Sequence, residues 1–429
     1  MVSSTLEPRV CRSPKLGGTT RPACRIPAEL ISAISSCTPS IASHPERDAI
    51  VSHWLHRMSE KPVFFDLAES IKWNKLIDAS AELKEQVSKL QSSAPFARAE
   101  NPTFRFIDLF AGIGGFRLAL QSLGGESVFS SEWDSAAKQT YWTNYGEVPF
   151  GDLRQFTAEM HRDDRRLDDL IPDHDVLAAG FPCQPFSRAG VSARTSLGIE
   201  HGFACKTQGT LFFEVLEIVR VKQPKVVFLE NVKNLRSHDG GMTFDTIKGS
   251  LEELGYSFSA EVVNASSLVP QRRERCYMVC LRDDVVPFKF PMESFRGVPR
   301  ALKEILDSEP DPSLTISDKL WLGHQSRTTR NLSRGAGFTA FAADVNKPAH
   351  TLVARYGKDG KECLVPTSNG NPRMLSPREC ARLQGFPEAF VLPSSRTPAY
   401  KQFGNSVAVP VVRRIAEEFM PHLISRIEP

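Results

Sequence analysis

The residue whose neighbours best suit it to chemistry is a cysteine. Cys183 lies in the segment Gly180–Ser187 (GFPCQPFS), directly after the apolar run Val176–Ala179. A cysteine at the carboxyl end of a parallel strand faces the crevice where sheets of this kind bind substrates. Most isolated cysteines are small buried hydrophobes, but here two prolines fix the backbone and polar residues follow. These features favour a thiolate nucleophile.

Three charged side chains are predicted at the same crevice. Glu230 ends the apolar run Val226–Leu229, so its carboxylate could donate or accept a proton opposite Cys183. Arg273 and Arg275 introduce another strand, and strand alternation puts them on one face. Without this context, a glutamate at a strand end is equally often a surface carboxylate, and a lone basic cluster is usually exposed to solvent. If they point at the crevice, the two arginines could bind a base carbonyl or a phosphate.

A glycine turn after another strand predicts a nucleoside-binding edge. The run Phe104–Phe110 leads into AGIGGF and a helix, where backbone N–H groups are open to a ligand. Glu132, twenty residues beyond Gly112, could accept hydrogen bonds from ribose hydroxyls. Trp133 could stack on an adenine, and Asp152, after an expected third strand, could bind its exocyclic amine. A glycine turn of this kind can instead serve only the packing of the helix on the strand. The spacing of its glycines differs from the motif that binds dinucleotides, which argues against NAD as the ligand.

Alternating apolar runs and helical patterns position these residues. The predicted strands cover 104–110, 176–179, 226–229, 256–263 and 276–281. Apolar residues at helical spacing over 211–219 and 244–254 separate consecutive strands. This alternation predicts an α/β fold with a doubly wound, mostly parallel sheet. Since no helix separates the last two strands, we expect an antiparallel edge.

The composition is that of a soluble globular protein. The 429 residues carry 53 Lys and Arg against 50 Asp and Glu, a balance that does not exclude nucleic acid as a partner. No apolar run is long enough for a membrane span and the N-terminus lacks the apolar core of a secretory signal, so we expect a cytoplasmic protein. The nine scattered cysteines fit reduced thiols. Cys276 and Cys280 lack a second pair at zinc spacing, so we expect them in the core and no metal.

Patterning divides the chain into a tail, a helical extension, a catalytic and cofactor-binding domain, a loop-rich domain and a C-terminal return. Their predicted bounds are 1–45, 46–100, 101–282, 283–375 and 376–429. The tail is rich in Pro, Ser and Thr and is predicted to be disordered. The extension is predicted to be a small helical appendage, with a DNA-binding helix-turn-helix as the alternative. A capping box of Ser376 and Glu379 opens a helix of the return.

Together these motifs resemble the cytosine-C5 DNA methyltransferases of bacterial restriction–modification systems. Six blocks occur in the order typical of that family and span about three quarters of the chain. The blocks are 108–116, 180–187, 230–232, 271–275, 375–387 and 402–407. Six ordered blocks make coincidence negligible, although each shorter block alone is weak.

The resemblance implies a reaction and a role for each catalytic residue. The target cytosine would be flipped out of double-stranded DNA, because its ring cannot be attacked while stacked. Cys183 would add to C6, and Glu230 would hold N3 and the amino group. Arg275 would bind the base carbonyl, and Arg273 would steady the thiol. C5 would then take the methyl group of S-adenosylmethionine.

The resemblance also implies binding regions. The S-adenosylmethionine site would comprise Phe110, Gly112, Gly115, Glu132, Trp133, Asp152, Leu153, Pro182, Leu211, Asn405, Ser406 and Val407. Residues 184–209 would form a mobile loop over the flipped base, longer than in the shortest family members. Residues 283–375 would be the target-recognition domain, which reads bases in the major groove. We expect a monomer on nucleoid DNA, paired functionally with a restriction endonuclease without a stable complex.

Three other functions stay open at this point. A tRNA cytosine methyltransferase would share the motif order, although the recognition region of about ninety residues is larger than expected for one. A sequence-specific DNA-binding regulator would act through the N-terminal helices. Truncation to residue 95 onward should abolish operator binding by a regulator but leave methyl transfer by an enzyme. A dinucleotide-dependent oxidoreductase is disfavoured by the nucleophilic Cys183 and by the lack of a hydride-transfer constellation.

Overall fold

The computed structural model describes most of the chain. The described residues are 26–99, 101–157, 164–182, 211–282, 288–335, 340–368 and 370–424. Cys183 and the predicted loop 184–209 therefore lie outside the described residues. In the described part of the chain, no helix is both long enough and apolar enough to cross a membrane.

The described residues contain a mixed six-stranded sheet in the order β2-β1-β3-β4-β6-β5. The strands are β1 (Phe104–Leu109), β2 (Gly125–Ser131), β3 (Val176–Ala179), β4 (Val226–Val232), β5 (Tyr256–Asn264) and β6 (Glu274–Arg282). Strands β1 to β4 are parallel, and β6 runs antiparallel between β4 and β5. The predicted doubly wound sheet with an antiparallel edge is confirmed. The parallel strands bring their carboxyl ends to one edge, where the site is expected.

Helices cover both faces of the sheet. The N-terminal helices are α1 (Ala28–Cys37), α2 (Pro39–Ala42), α3 (Arg47–His56), α4 (Leu67–Asp78) and α5 (Ala81–Ser93). Those interleaved with the strands are α6 (Gly115–Gln121), α7 (Ser135–Tyr145), α8 (Arg154–Thr157), α9 (Asp164–Leu170), α10 (Leu211–Lys222) and α11 (Met242–Glu253). The later helices are α12 (Asp318–Ser333), α13 (Pro377–Leu383), α14 (Arg396–Asn405) and α15 (Val409–Ile424).

Two apolar cores lie on opposite faces of the sheet, as strand alternation requires. On one face, Phe106 packs with side chains of α6, α7 and α15 and of the segment 288–383. On the other face, Ile107 packs with side chains of α1 to α5, α10 and α11. Cys276 and Cys280 are buried in this second core, as predicted. The N-terminal helices therefore cover one face of the sheet.

The prediction of a disordered tail over residues 1–45 is wrong for the helices α1 and α2. Leu30 and Ile34, four residues apart, are fully buried, as is Ile41 in α2. The prolines that argued for disorder begin these helices, because Pro27 is the N-cap of α1 and Pro39 occupies the first turn of α2. Helix α1 packs on α4 and α5, and this long-range contact is not visible in local composition. Residues 1–25 lie outside the described residues.

The predicted N-terminal extension is helical, but its helices pack on the sheet and do not form a separate appendage. Helix α3 is buried over eight consecutive residues, Ala49–His56, between the sheet and the other N-terminal helices. A helix buried on every side cannot enter a DNA groove, so α3 cannot serve as a recognition helix. A cut at residue 95 would expose one face of the sheet, and it is therefore no clean test of catalysis.

Between β6 and α13 the sequence shows little periodicity, yet it contains the sixteen-residue helix α12. Ser317 caps this helix by accepting a hydrogen bond from the backbone N–H of Leu320 (3.3 Å). His324 and Thr328 are the buried side chains of the helix, and most others are exposed. Because the buried stripe is narrow and consists of polar residues, the helix has no apolar periodicity, which explains why the sequence did not predict it. The predicted capping box of Ser376 and Glu379, by contrast, is confirmed.

Candidate active site

A cavity of about 950 Å³ opens at the carboxyl edge of the parallel strands. Segments that follow or end the four strands line it, at 110–113, 131–134, 180–182 and 230–232. The structure brings together at this cavity all twelve residues predicted for the cofactor, together with Glu230, Arg273 and Arg275. Cys183 lies outside the described residues, directly after the lining residue Pro182.

The glycine turn after β1 follows an unusual backbone path. Phe110 and Gly112 both have positive φ, at 57° and 55°, which turns the chain sharply into α6. A Cβ on Gly115 would lie 2.7 Å from Cγ2 of Val407, so only glycine allows the C-terminal return to approach this closely. The turn is thereby packed against the segment Asn405–Val407, which joins α14 to α15.

Glu132 holds the turn from the end of β2. Its Oε2 accepts a hydrogen bond from the backbone N–H of Gly112 (2.9 Å), and its Oε1 accepts one from Asp134 (2.7 Å). Burial raises the pKa of Glu132, while the hydrogen bonds from Asp134 and Gly112 oppose the shift. Each carboxylate oxygen keeps further acceptor capacity toward the cavity. Trp133 beside it is 78% exposed, so its ring can stack on a planar ligand.

Asp152 reaches the cavity on a segment that is not preceded by the expected third strand. The backbone there makes a single parallel bridge, between Phe150 and Ser131, and the next strand along the chain begins at Val176. The Asp152 carboxylate accepts hydrogen bonds from Arg154 Nε at 2.9 and 3.0 Å. These bonds to the Arg154 side chain lower the pKa of Asp152, and burial opposes them.

Glu230 and Arg275 form the charged pair of the cavity. Glu230 is 9% exposed, and its Oε1 lies 3.1 Å from Nε of Arg275 on the antiparallel strand β6. Burial raises the pKa of the Glu230 carboxyl despite the opposing charges of Arg275 and Arg273. The next residue, Asn231, donates from Nδ2 to the carbonyl of Phe181 (3.0 Å). This bond ties the end of β4 to the segment that leads into Cys183.

Arg273 lies just before β6 and is buried. Its guanidinium donates to the carbonyl oxygens of Leu352 (2.9 Å), Gly404 (3.3 Å) and Ser406 (2.6 Å). Burial and the charge of Arg275 lower its pKa to about 9. Arg273 thus links the backbone at Leu352 to the C-terminal segment around Gly404 and Ser406, and this geometry makes it a positioning residue in the described part of the site. The predicted contact with the thiol stays a prediction.

Several lining residues were not predicted from the sequence. They are Ser131, Asp134, Arg154, Glu214, Asn231, Lys401 and Gln402. Lys401 on α14 pairs with Asp134, which caps α7 by accepting hydrogen bonds from Ala136 and Ala137. Asp134 adjoins Trp133, and Lys401 directly precedes the block 402–407, so adjacency to predicted motifs was the available signal.

Comparisons with known proteins agree with this arrangement. Residues 104–420 match the family model described as C-5 cytosine-specific DNA methylase. The chain is 46% identical over 333 residues to the Type II methyltransferase M1.ScrFI of Lactococcus lactis subsp. cremoris, an alignment that covers 76% of this chain and 80% of that protein. It is 38% identical over 422 residues to the DNA-cytosine methyltransferase of Escherichia coli (strain K12), covering 87% of each. The crystal structure of the S. pombe Dnmt2 methyltransferase, at 18% identity and a TM-score of 0.58, covers 74% of this chain and 98% of its own and shows the fold alone.

Proposed function

Because this chain belongs to the C-5 cytosine-specific DNA methylase family, we propose that its cavity transfers a methyl group to C5 of a cytosine flipped out of duplex DNA. The protein is a DNA cytosine methyltransferase of the Type II kind. The observation that carries the detailed proposal is the buried pair of Glu230 and Arg275 beside the strand end that leads into Cys183. A proton donor, a carbonyl-binding cation and a nucleophile then share one crevice.

The residues of the cavity fit S-adenosylmethionine as the methyl donor. Glu132 has acceptor capacity for ribose hydroxyls, Trp133 offers an exposed ring, and Asp152 has a carboxylate for an exocyclic amine. The apolar walls are Phe110, Leu153, Pro182 and Leu211. When bound, S-adenosylmethionine supplies an electrophilic methyl group. The glycine turn and the residues Asn405–Val407 would hold it in the cavity.

Two groups of the chain, the Cys183 thiolate and the Glu230 carboxyl, act on the cytosine in the proposed reaction. The Cys183 thiolate forms a bond to C6, and the displaced electron pair moves through the ring to N3, where the Glu230 carboxyl donates its proton. The ring is now an enamine with a nucleophilic C5, which would form the new bond to the methyl carbon as the bond from that carbon to sulfur breaks and the sulfur leaves as a neutral thioether. Solvent water takes the C5 proton, the electron pair of that C–H bond re-forms the C5–C6 double bond as the thiolate leaves C6, and the N3 proton returns to Glu230, which leaves 5-methylcytosine.

Glu230 is suited to this proton transfer by its surroundings. Burial favours the protonated carboxyl, and the positive charge of Arg275 keeps the proton transferable by favouring the anion. Arg275 also orients the carboxyl, so the proton is aimed at one position of the bound base. We propose that Arg275 contacts the base carbonyl at the same time.

We propose that residues 283–375 recognise the DNA site and that α12 contacts its phosphates. The exposed face of α12 carries Lys319, Arg327 and Arg330. His324 Nε2 donates to the carbonyl of Asp359 (3.0 Å), which anchors the helix to the neighbouring loop. If Arg330 binds one phosphate, Arg330→Ala should reduce the slope of log K against log salt by about one. Arg413→Ala on α15, an exposed arginine outside this region, is the matched control and should leave the slope unchanged.

The activity can be tested in a bacterial host without cytosine methylation. Bisulfite sequencing after expression of this chain should find 5-methylcytosine in one short motif, and Cys183→Ala should abolish it. For the covalent step, DNA with 5-fluorocytosine at the mapped position should trap the wild-type protein in a complex that resists denaturation, because fluorine cannot leave C5 as a proton does. Methylation by Cys183→Ala would refute the mechanism, and methylation of tRNA alone would refute the DNA substrate.

We also propose a cellular role for the protein, based on its family. The protein acts as a monomer on nucleoid DNA in the cytoplasm and protects it from a restriction endonuclease with which it forms no stable complex. The Type II names of its relatives support the functional pairing. Co-expression with candidate endonucleases tests it, since only the cognate enzyme should be tolerated by cells that carry the methylase.

A further inference from the structure

One N-terminal segment runs along the backbone that leads to Asp152. We call residues 46–57, which comprise Glu46, helix α3 and Arg57, the strap. Ser52 Oγ accepts a hydrogen bond from the backbone N–H of Val148 (2.9 Å), and His56 Nε2 donates to the carbonyl of Gly146 (3.1 Å). The strap thus supplies partners for backbone groups along the segment 146–151, which has a single bridge to the sheet in place of a strand.

The last contact of this series lies next to the cavity. Glu46 is 7% exposed, and its Oε2 accepts a hydrogen bond from the backbone N–H of Gly151 (3.0 Å). Lys138 lies 3.8 Å from the same oxygen. A Cβ added to Gly151 would lie 2.5 Å from Glu46 Oε1, so glycine is needed for this approach. Asp152 is the next residue, and its carboxylate is part of the cavity lining.

A buried charge cluster fixes the strap itself. Glu147 lies 3.0 Å from Arg117, 3.5 Å from Arg57 and 3.4 Å from His53. Burial alone would raise the pKa of Glu147, but the charges of Arg117 and Arg57 hold it well below its usual range. Arg117 belongs to α6, the helix that follows the glycine turn. The cluster therefore connects the strap to both backbone segments that border the cavity.

We propose that Glu46 is a positioning residue of the cofactor site. Its carboxylate fixes the N–H of Gly151 and thereby sets the direction in which Asp152 faces the adenine end of the cavity. The N-terminal helices are then part of the catalytic unit, since they support a binding segment that a single bridge, between Phe150 and Ser131 of β2, joins to the sheet. This inference rests on the cofactor site proposed above.

Steady-state kinetics of the full-length protein test the inference. Glu46→Ala should raise the KM for S-adenosylmethionine about tenfold, the scale of one lost charge-assisted hydrogen bond. The KM for DNA and the kcat at saturating cofactor should stay within about twofold. Glu46→Gln keeps an acceptor for the Gly151 N–H and should restore a near-normal KM. Glu60→Ala is the control, because Glu60 pairs with Arg105 of β1 (2.7 Å) away from the cavity.

A second pair of variants addresses the case in which Glu46→Ala does not fold. Gly151→Ala should raise the KM for S-adenosylmethionine, because its methyl group displaces Glu46. Combining it with Glu46→Asp, whose side chain is one methylene shorter and leaves room for that methyl group, should cost less than the product of the two single effects, as expected when both act through one contact. Independent effects would overturn the inference.

Asp152→Ala separates this inference from the cofactor site on which it rests. An unchanged cofactor KM in Glu46→Ala, with Asp152→Ala raising it, would overturn the role of Glu46 and leave the cofactor site standing. A lower thermal midpoint and kcat without a change in KM would do the same, since that result reports a structural role only. If Asp152→Ala also leaves the KM unchanged, the proposed cofactor site fails and the inference fails with it.

Discussion

Replacing Glu230 by glutamine tests the proton transfer most directly. The variant keeps the size of the side chain and an oxygen for Arg275, which lies 3.1 Å from the carboxylate, but it removes the transferable proton. Positioned general acids contribute about 100- to 10,000-fold to rates. We therefore expect the rate of methyl transfer to fall at least about 100-fold, or about 2.7 kcal/mol of activation free energy.

The assay is a single-turnover measurement of labelled methyl transfer with cofactor and duplex DNA both saturating, which excludes effects on binding. Glu274→Gln is the matched control. Glu274 is the neighbour of Arg275 but pairs with Lys233 (2.6 Å) outside the cavity lining. Its variant should stay within about threefold of the wild type.

The pH dependence gives the same experiment a second readout. Burial raises the pKa of Glu230, so the carboxyl stays protonated to a higher pH than an ordinary glutamate. The wild-type rate should fall as the pH rises through this raised pKa, because the proton donor is then lost. Glu230→Gln should lack that limb. A Glu230→Gln rate within threefold of wild type, with the limb retained, would remove Glu230 from the role of proton donor.

Three further predictions concern the cofactor edge and the N-terminal helices. Trp133→Ala should weaken S-adenosylmethionine by about 1 to 2 kcal/mol and leave DNA affinity unchanged, and equal weakening of both in titrations would count against adenine stacking. Burial lowers the pKa of His53 from 6.5 to about 3. As the pH falls below 6.5, the unfolded state therefore binds a proton that the folded state does not, and the folded protein loses stability until the pH reaches about 3. Urea unfolding of His53→Gln should therefore show a shallower loss, by about 1.4 kcal/mol per pH unit, between pH 6 and 4, and parallel curves would refute the assignment. Truncation to residue 95 onward should yield aggregated protein, because one face of the sheet loses its cover, and a soluble monomer with wild-type activity by gel filtration and methyl transfer would show that the N-terminal helices are dispensable.

The sequence predicted which residues line the cavity because most of the motifs follow a strand. Apolar runs of four to seven residues located three of the four parallel strands, the order of strands and helices placed the ends of those strands at one edge, and Glu132 was assigned by its spacing from Gly112. Glu132, Glu230 and Pro182 could therefore be assigned to a common cavity without knowledge of any contact. The helix that begins after Ser376 was also predicted from a short-range pattern, since a capping box involves only four consecutive residues.

The errors arose where long-range contacts override the local pattern. The Pro-rich stretch before residue 45 forms helices because α4 and α5 cover its apolar residues. Helix α12 was not predicted because so few of its side chains are buried. Asp152 follows a segment that a single bridge joins to β2, and Glu46, more than one hundred residues earlier, accepts a hydrogen bond from the backbone N–H of Gly151.

The sequence by itself determined which residue types lie at the strand ends, since these follow from short-range patterns. Only the tertiary structure decided that the N-terminal helices cover one face of the sheet and that the Arg273 guanidinium donates to three carbonyl groups. Such contacts join residues that are distant in the chain, and the buried partners satisfy each other only once the whole sheet is assembled.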